Sequence, residues 1–169
     1  IFRGAYKEII SNAQQNVECE CFELDDYENL NELEIESVKI DCVSDNFIPL
    51  KIARDSLLLS TNVTIKVSGY AEVFDEENSI WDSVDREYFY MAYADIDFTD
   101  AEAEVDCEIL ISFDFDDPEN TAQVMEFHLL NQGNICIDCE GASIREIDED
   151  ELSVRVLRED KGYPRRNTK

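Results

Sequence analysis

The sequence predicts a mainly-β (α+β) domain, an antiparallel sheet forming a sandwich or half-barrel with a helix at its N-terminus. Three observations carry that prediction. Apolar residues alternate with polar ones over long stretches in the middle of the chain, and turn-forming residues separate these stretches. Only the segment 1–16 repeats at helical spacing, with Phe2, Tyr6, Ile9, Ile10 and Ala13 recurring and Arg3, Lys7, Glu8 and Gln14 between them.

The helix has no N-cap residue before Ile1, and the chain starts with Ile1 rather than Met. Both features predict a helix that continues from an upstream region, hence a fragment of a longer polypeptide. From Val17 the period becomes two. Val17, Cys19 and Cys21 alternate with Glu18 and Glu20, which predicts a strand with both cysteines on its core side. Leu30 and Leu33 predict a short helical turn, and Ile35, Val38, Ile40 and Cys42 a less regular strand. Residues 44–56, with Asp45, Asn46 and Pro49, read as a loop or a short edge strand.

The clearest patterns follow. Val63, Ile65, Val67, Ala71 and Val73 alternate with Thr64, Lys66, Ser68, Tyr70 and Glu72, with Gly69 marking a bulge. Residues 75–79 read as a polar loop. A strand over 86–98 carries Tyr88, Tyr90, Ala92, Ala94, Ile96 and Phe98 on one face and Phe89, Met91 and Tyr93 on the other, so both faces are expected to be covered. Over 101–115, Ala101, Ala103, Val105, Cys107, Ile109, Ile111, Phe113 and Phe115 point one way. Glu102, Glu104, Asp106, Glu108, Ser112 and Asp114 point the other, which is the mark of a half-buried antiparallel strand. A turn at 116–120 precedes strands at 122–130 and 134–139, joined as a hairpin through Asn131-Gln132-Gly133-Asn134. Ile144, Ile147, Leu152, Val154 and Val156 predict a last strand. The organisation is therefore an N-terminal helix over 1–16, one β-rich domain over 17–158 and a loose basic tail over 159–169.

Charge bounds the function. Forty-one Asp and Glu stand against fourteen Lys and Arg, a net charge of −27, while 44% hydrophobic residues in 169 suffice for one folded domain. Such a surface repels phosphates and anionic lipid, so direct binding to nucleic acid or membrane is not expected, whereas a basic protein would be attracted. Half of the cations, Arg145, Arg155, Arg158, Lys161, Arg165, Arg166 and Lys169, fall in the last 25 residues. With no apolar run of about 20 residues and no secretory signal pattern, the six cysteines are expected to be reduced and the chain cytoplasmic. The aligned acids of 101–115 also need neutral or basic neighbours, because like charges face each other at ~5 Å in a sheet. The segment 63–73, rich in Thr, Ser, Lys and Tyr, is the expected neighbour of 101–115 or of 86–98.

No constellation of catalytic or metal-binding residues stands out. Cys136 and Cys139 form a C-x-x-C and Cys19 and Cys21 a C-x-C, but residues three apart on a strand face opposite ways, so these thiols read as core residues rather than zinc ligands. His128, the sole histidine, reads as an exposed strand residue opposite in phase to Phe127. The carboxylate runs at 25–26, 75–77, 114–117 and 148–151 read as solvated faces, without an Asp-x-Asp-x-Asp-Gly loop. No catalytic residue, cofactor-binding residue or metal ligand is expected. The segment 80–88 is the most individual, for it sets the only Trp before a Tyr-rich strand. Trp81 either caps one end of the core or, with Tyr88 and Tyr90, forms a partner contact.

The alternating segment 63–73, the acidic loop, the Trp81-Asp82-Ser83-Val84-Asp85-Arg86-Glu87-Tyr88 stretch and the acidic strand at 101–115 together resemble a β-rich C-terminal region of bacterial PIN-domain-containing proteins of the defence or toxin type. The likeness spans roughly residues 57–139. It implies an accessory domain separated from its nuclease domain, none of whose catalytic acids maps onto this sequence. The function expected is thus a non-catalytic accessory or interaction domain with a basic protein or an upstream domain as partner. The alternative is an acidic inhibitor, an immunity protein or nucleic-acid mimic, that occupies the basic site of another protein.

Overall fold

A computed structural model describes residues 1–25, 27 and 30–148. Its frame is one hairpin. Strands β4 (Ser56–Asp82) and β5 (Glu87–Ser112) pair antiparallel from Ser56↔Ser112 at the base to Asp82↔Glu87 at the tip. Shorter strands line both edges: β2 (Leu30–Val43) and β3 (Ile48–Ile52) on β4, β6 (Gln123–Leu129) and β8 (Ser143–Glu146) on β5. This six-stranded antiparallel sheet stays open. A separate parallel pair joins β1 (Phe22–Leu24) to β7 (Ile135–Ile137).

Helix α1 (Phe2–Val17) packs on the sheet through Ala5, Ile9, Ala13 and Val17, all fully buried in the same core as the strands. The helix thus belongs to the β-rich domain rather than standing apart from it. On β4 the core face is Leu57, Leu59, Val63, Ile65, Val67, Ala71 and Val73, and on β5 it is Ile96, Phe98 and every second residue from Ala101 to Ile111. Two-residue periodicity placed the residues of 63–73 and 101–111 correctly because one face meets α1 and the other water, while Leu57 and Leu59 extend β4 beyond the strand expected there. A short helix, α2 (Pro118–Thr121), stands against α1 so closely that a Cβ on Gly4 would lie 2.0 Å from the Glu119 carbonyl oxygen.

Several expectations need correction. Val17 ends α1 and residues 18–20 turn, so there is no strand over 17–21, and Cys19 and Cys21 are exposed rather than core. Leu30 and Leu33 lie in β2, not in a helical turn. Against β4, β2 carries an extra residue at Asn31, at Glu36 and at Asp41, and each bulge moves the sheltered side chain on by three positions instead of two. The more sheltered residues Leu30, Leu33, Ile35, Val38, Ile40 and Val43 follow that rhythm, which imitates a helix over short windows. The bulge near Gly69 lies on β5, where Asp100 adopts a left-handed φ of 57°. Segments 86–98 and 101–112 are accordingly one strand with a kink, and residues 113–115 leave it. The expected hairpin of 122–130 with 134–139 does not form, because β7 crosses to β1 and Phe22 pairs with Ile135. The residues of the predicted last strand beyond 148, and the predicted basic tail, lie outside the described residues; Ile144 is in β8.

Gly69 is required for a different reason. A Cβ there would sit 2.2 Å from the Glu34 carbonyl oxygen and 3.0 Å from the Phe98 ring, so β2 and β4 approach too closely for any side chain. Gly69→Ala is expected to cost about 2 kcal/mol of stability by forcing the two strands apart, measured by urea denaturation. An unchanged midpoint would show that the strands separate freely.

Candidate interaction surface

Beyond the flanking strands, the hairpin continues alone. β2 begins opposite Val73, and β8 ends opposite Ile96 with one further bond from the Ile147 N–H to the Asp95 carbonyl. Residues 74–93 therefore form a two-stranded arm with no third strand beside it among the described residues. Its tip is set by Asp82, whose carboxylate accepts the N–H groups of Val84 at 2.7 Å and Asp85 at 3.2 Å, and by Arg86 in the left-handed region at φ 57°. Lower down, residues 76–79 bulge out between the pairs Asp75↔Ala92 and Ile80↔Tyr90. Asp75 holds this excursion by accepting from the Asn78 side chain at 2.6 Å, while the Ser79 hydroxyl oxygen accepts the Ala92 N–H at 2.9 Å. The predicted polar loop at 75–79 is this bulge.

The arm carries aromatic residues in both strand phases, and among the described residues no further strand covers either phase. Trp81 and Tyr88 are cross-strand partners, with ring centroids 4.9 Å apart, edge to face. Phe74 continues the cluster, 5.0 Å from Tyr88 and 6.2 Å from Tyr93. Tyr90 pairs with Ile80 one rung lower and is not in that ring cluster. Trp81 is 53% exposed, Tyr90 56% and Phe89 80%, so Trp81 does not cap the core. Sequence reasoning missed Phe89, Ile80, Val84 and Met91, which are also exposed. Tyr88-Phe89-Tyr90 puts aromatics in both strand phases, which calls for cover on two faces; among the described residues no third strand supplies it. Elsewhere the exposed Ile48 and Ile52 lie on the edge strand β3, where Pro49 and a register shift interrupt the ladder.

The outer face of the sheet below the arm is an acidic ladder. Glu102, Glu104, Asp106 and Glu108 stand across from Lys66, Thr64, Asn62 and Ser60, so β4 supplies the neutral or basic neighbours that the acids require. The Asn62 amide donates to Glu104, and the Lys66 ammonium lies 3.7 Å from Asp41. Nearer the arm the compensation stops: Glu32, Glu72 and Asp95 face one another across three strands. The Asn31 amide donates to Glu72 at 2.6 Å and the Tyr70 hydroxyl donates to Asp95. Burial, followed by the Asp95 carboxylate, holds the Tyr70 phenol well above its ordinary value. On the same face His128 is exposed, opposite Glu108 and 3.4 Å from Glu126, and Phe127 beside it is buried.

The thiols do not converge. Cys107 and Cys139 are buried, whereas Cys19, Cys21, Cys42 and Cys136 are exposed. The Cys136 thiol donates to Glu23 at 2.7 Å, and that carboxylate pushes its pKa up, which disfavours the thiolate needed by a nucleophile or ligand. Among the described residues, no group of three or more His, Cys, Asp or Glu is placed to hold a metal ion, and no helix is long and apolar enough to cross a membrane. Two open grooves flank α1, one lined by Phe2, Tyr6, Phe47 and Leu57, the other by Glu18, Glu20, Leu33 and Ile35. Fold and surface together define a mainly-β domain, a six-stranded antiparallel sheet with a small parallel pair, that carries an aromatic arm above an acidic face. No protein-family model, curated protein or solved structure matches the chain.

Proposed function

We propose that the chain is a non-catalytic interaction domain that engages a protein partner through the β4–β5 arm. The observation that supports this reading is the arm itself, which holds Trp81, Phe89 and Tyr90 in water where neither the core nor a flanking strand uses them. Large aromatic side chains stranded on a two-strand projection favour association, because contact removes apolar area from water at about 25 cal/mol per Å². The acidic ladder favours a second reading, an inhibitor that offers a row of carboxylates about 6.8 Å apart to a basic protein site.

A photo-crosslinking amino acid placed at position 89 of the full chain, and separately at 104 and at 51, tests both readings. Specific cross-linking of one partner from 89 alone supports the arm. Cross-linking from 104 alone, lost as salt rises, supports the ladder. A background signal from all three positions sinks both.

A further inference from the structure

The arm is apolar at its rings but acidic around them. Between Phe74 and Tyr93 lie six acids, Asp75, Glu76, Glu77, Asp82, Asp85 and Glu87, against a single cation, Arg86. A second copy of this chain is a poor occupant, since it brings the same excess to the contact and a net −27 behind it. A purely apolar partner is poor as well, because it would strip water from these carboxylates without pairing them. The side chain that answers both demands is arginine. Its guanidinium lies flat on an aromatic face, is weakly hydrated, and donates in a fork to carboxylates, whereas the lysine ammonium is a compact and strongly hydrated charge. The same protein already makes this contact elsewhere: the Arg54 guanidinium sits 5.6 Å above the Phe115 ring, which is itself exposed.

We infer that the arm recognises an arginine-rich segment of its partner, with guanidinium groups stacked on the Trp81–Tyr88 cluster and on Phe89 and paired with the carboxylates beside them. The inference rests on the arm being the contact surface, and it adds the chemistry of what is contacted. It separates from plain charge attraction in one respect: a surface that only attracts cations treats arginine and lysine alike, and an aromatic one does not.

Trp81 is the only tryptophan, so its emission reports on the arm directly. The full chain is titrated with a synthetic peptide alternating arginine and serine, and with its lysine counterpart of equal length, at low and at physiological salt. The arginine peptide is expected to change Trp81 emission saturably and to bind about fivefold tighter than the lysine peptide. Anisotropy of labelled peptides, read on a Trp81→Ala, Phe89→Ser double variant, is expected to show that preference abolished and the weaker lysine binding retained. Equal affinities for the two peptides overturn the inference, as does an arginine preference that survives in the double variant. A chain ending at Asp148 serves as the control for self-occupation: if only that shortened chain binds the arginine peptide, the chain's own basic residues take the place of a partner and the inference fails. If arginine and lysine bind equally while a partner still cross-links from position 89, only the arginine chemistry falls and the interaction reading stands.

Discussion

Ile65→Ala should lower the unfolding free energy by about 3–4 kcal/mol and the melting temperature by about 10 °C. Ile65 is fully buried on β4, between Ile40 of β2 and Ala103 of β5, at the centre of the sheet face that α1 covers. Removing its outer carbons leaves a void that three hydrogen-bonded strands cannot collapse to fill, so the lost packing adds to the lost transfer free energy. Ile109→Ala, equally buried and paired with Leu59 and Phe127, should cost a similar amount. Phe89→Ala is the contrast: it deletes a larger side chain from the open arm and should change stability by less than about 0.5 kcal/mol. Thermal unfolding of the three variants checks the division of labour between sheet and arm. A loss at Phe89 comparable to that at Ile65 would mean that the arm is packed against something after all.

Alkaline pH should destabilise the protein through Cys107. The thiol is fully buried beside Thr61 on β4, and burial, reinforced by the adjacent Asp106 carboxylate, pushes its pKa up to about 12, well above the ordinary thiol value. Its folded pKa thus lies above its unfolded one. The neutral thiol contributes its full share of stability below pH 9, and that share is lost as pH rises towards 12, because the unfolded chain gives up the proton first. The loss reaches about 2–3 kcal/mol by pH 11. Tyr70 pushes in the same direction at higher pH, since burial and Asp95 also raise its phenol. Urea denaturation of wild type and Cys107→Ala at pH 8 and pH 11 isolates the thiol. The variant starts lower, by the cost of a small cavity, but should lose about 2 kcal/mol less across that interval. Parallel losses in the two proteins would place the alkaline sensitivity elsewhere.

How much of this was legible in the sequence depended on whether a segment sees a single environment along its length. Residues 63–73 and 101–111 do, with α1 on one side and water on the other, and there alternation located nearly every core residue. It also anticipated that Thr64 and Lys66 would face the acids of β5. The residues of β2 do not keep one phase: bulges at Asn31, Glu36 and Asp41 rotate the chain at each step, so Leu30 and Leu33 look helical and Val43 joins the core out of turn. The β1–β7 pair was invisible for another reason, since three-residue strands joined in parallel over more than a hundred positions leave no local pattern. At the arm, Trp81, Tyr88 and Tyr90 were picked out by residue type alone. Their exposure follows from where β2 and β8 stop, which no property of residues 80–90 records.

The long reach between α1 and its neighbours bears on how the chain assembles. A 16-residue helix is marginal in water by itself. Some of the groups that hold this one lie nearby, since the Gln14 side chain bonds Val38 and Ile40 of β2, but others come much later: Glu8 accepts the Val124 N–H at 2.8 Å, and Gly4 abuts Glu119. During synthesis α1 can complete its contacts only once the strand at 123–129 has emerged, and β1 waits longer still for 135–137. Folding is then a late, many-residue closure over a hairpin formed earlier, with the slow rate that distant contacts impose.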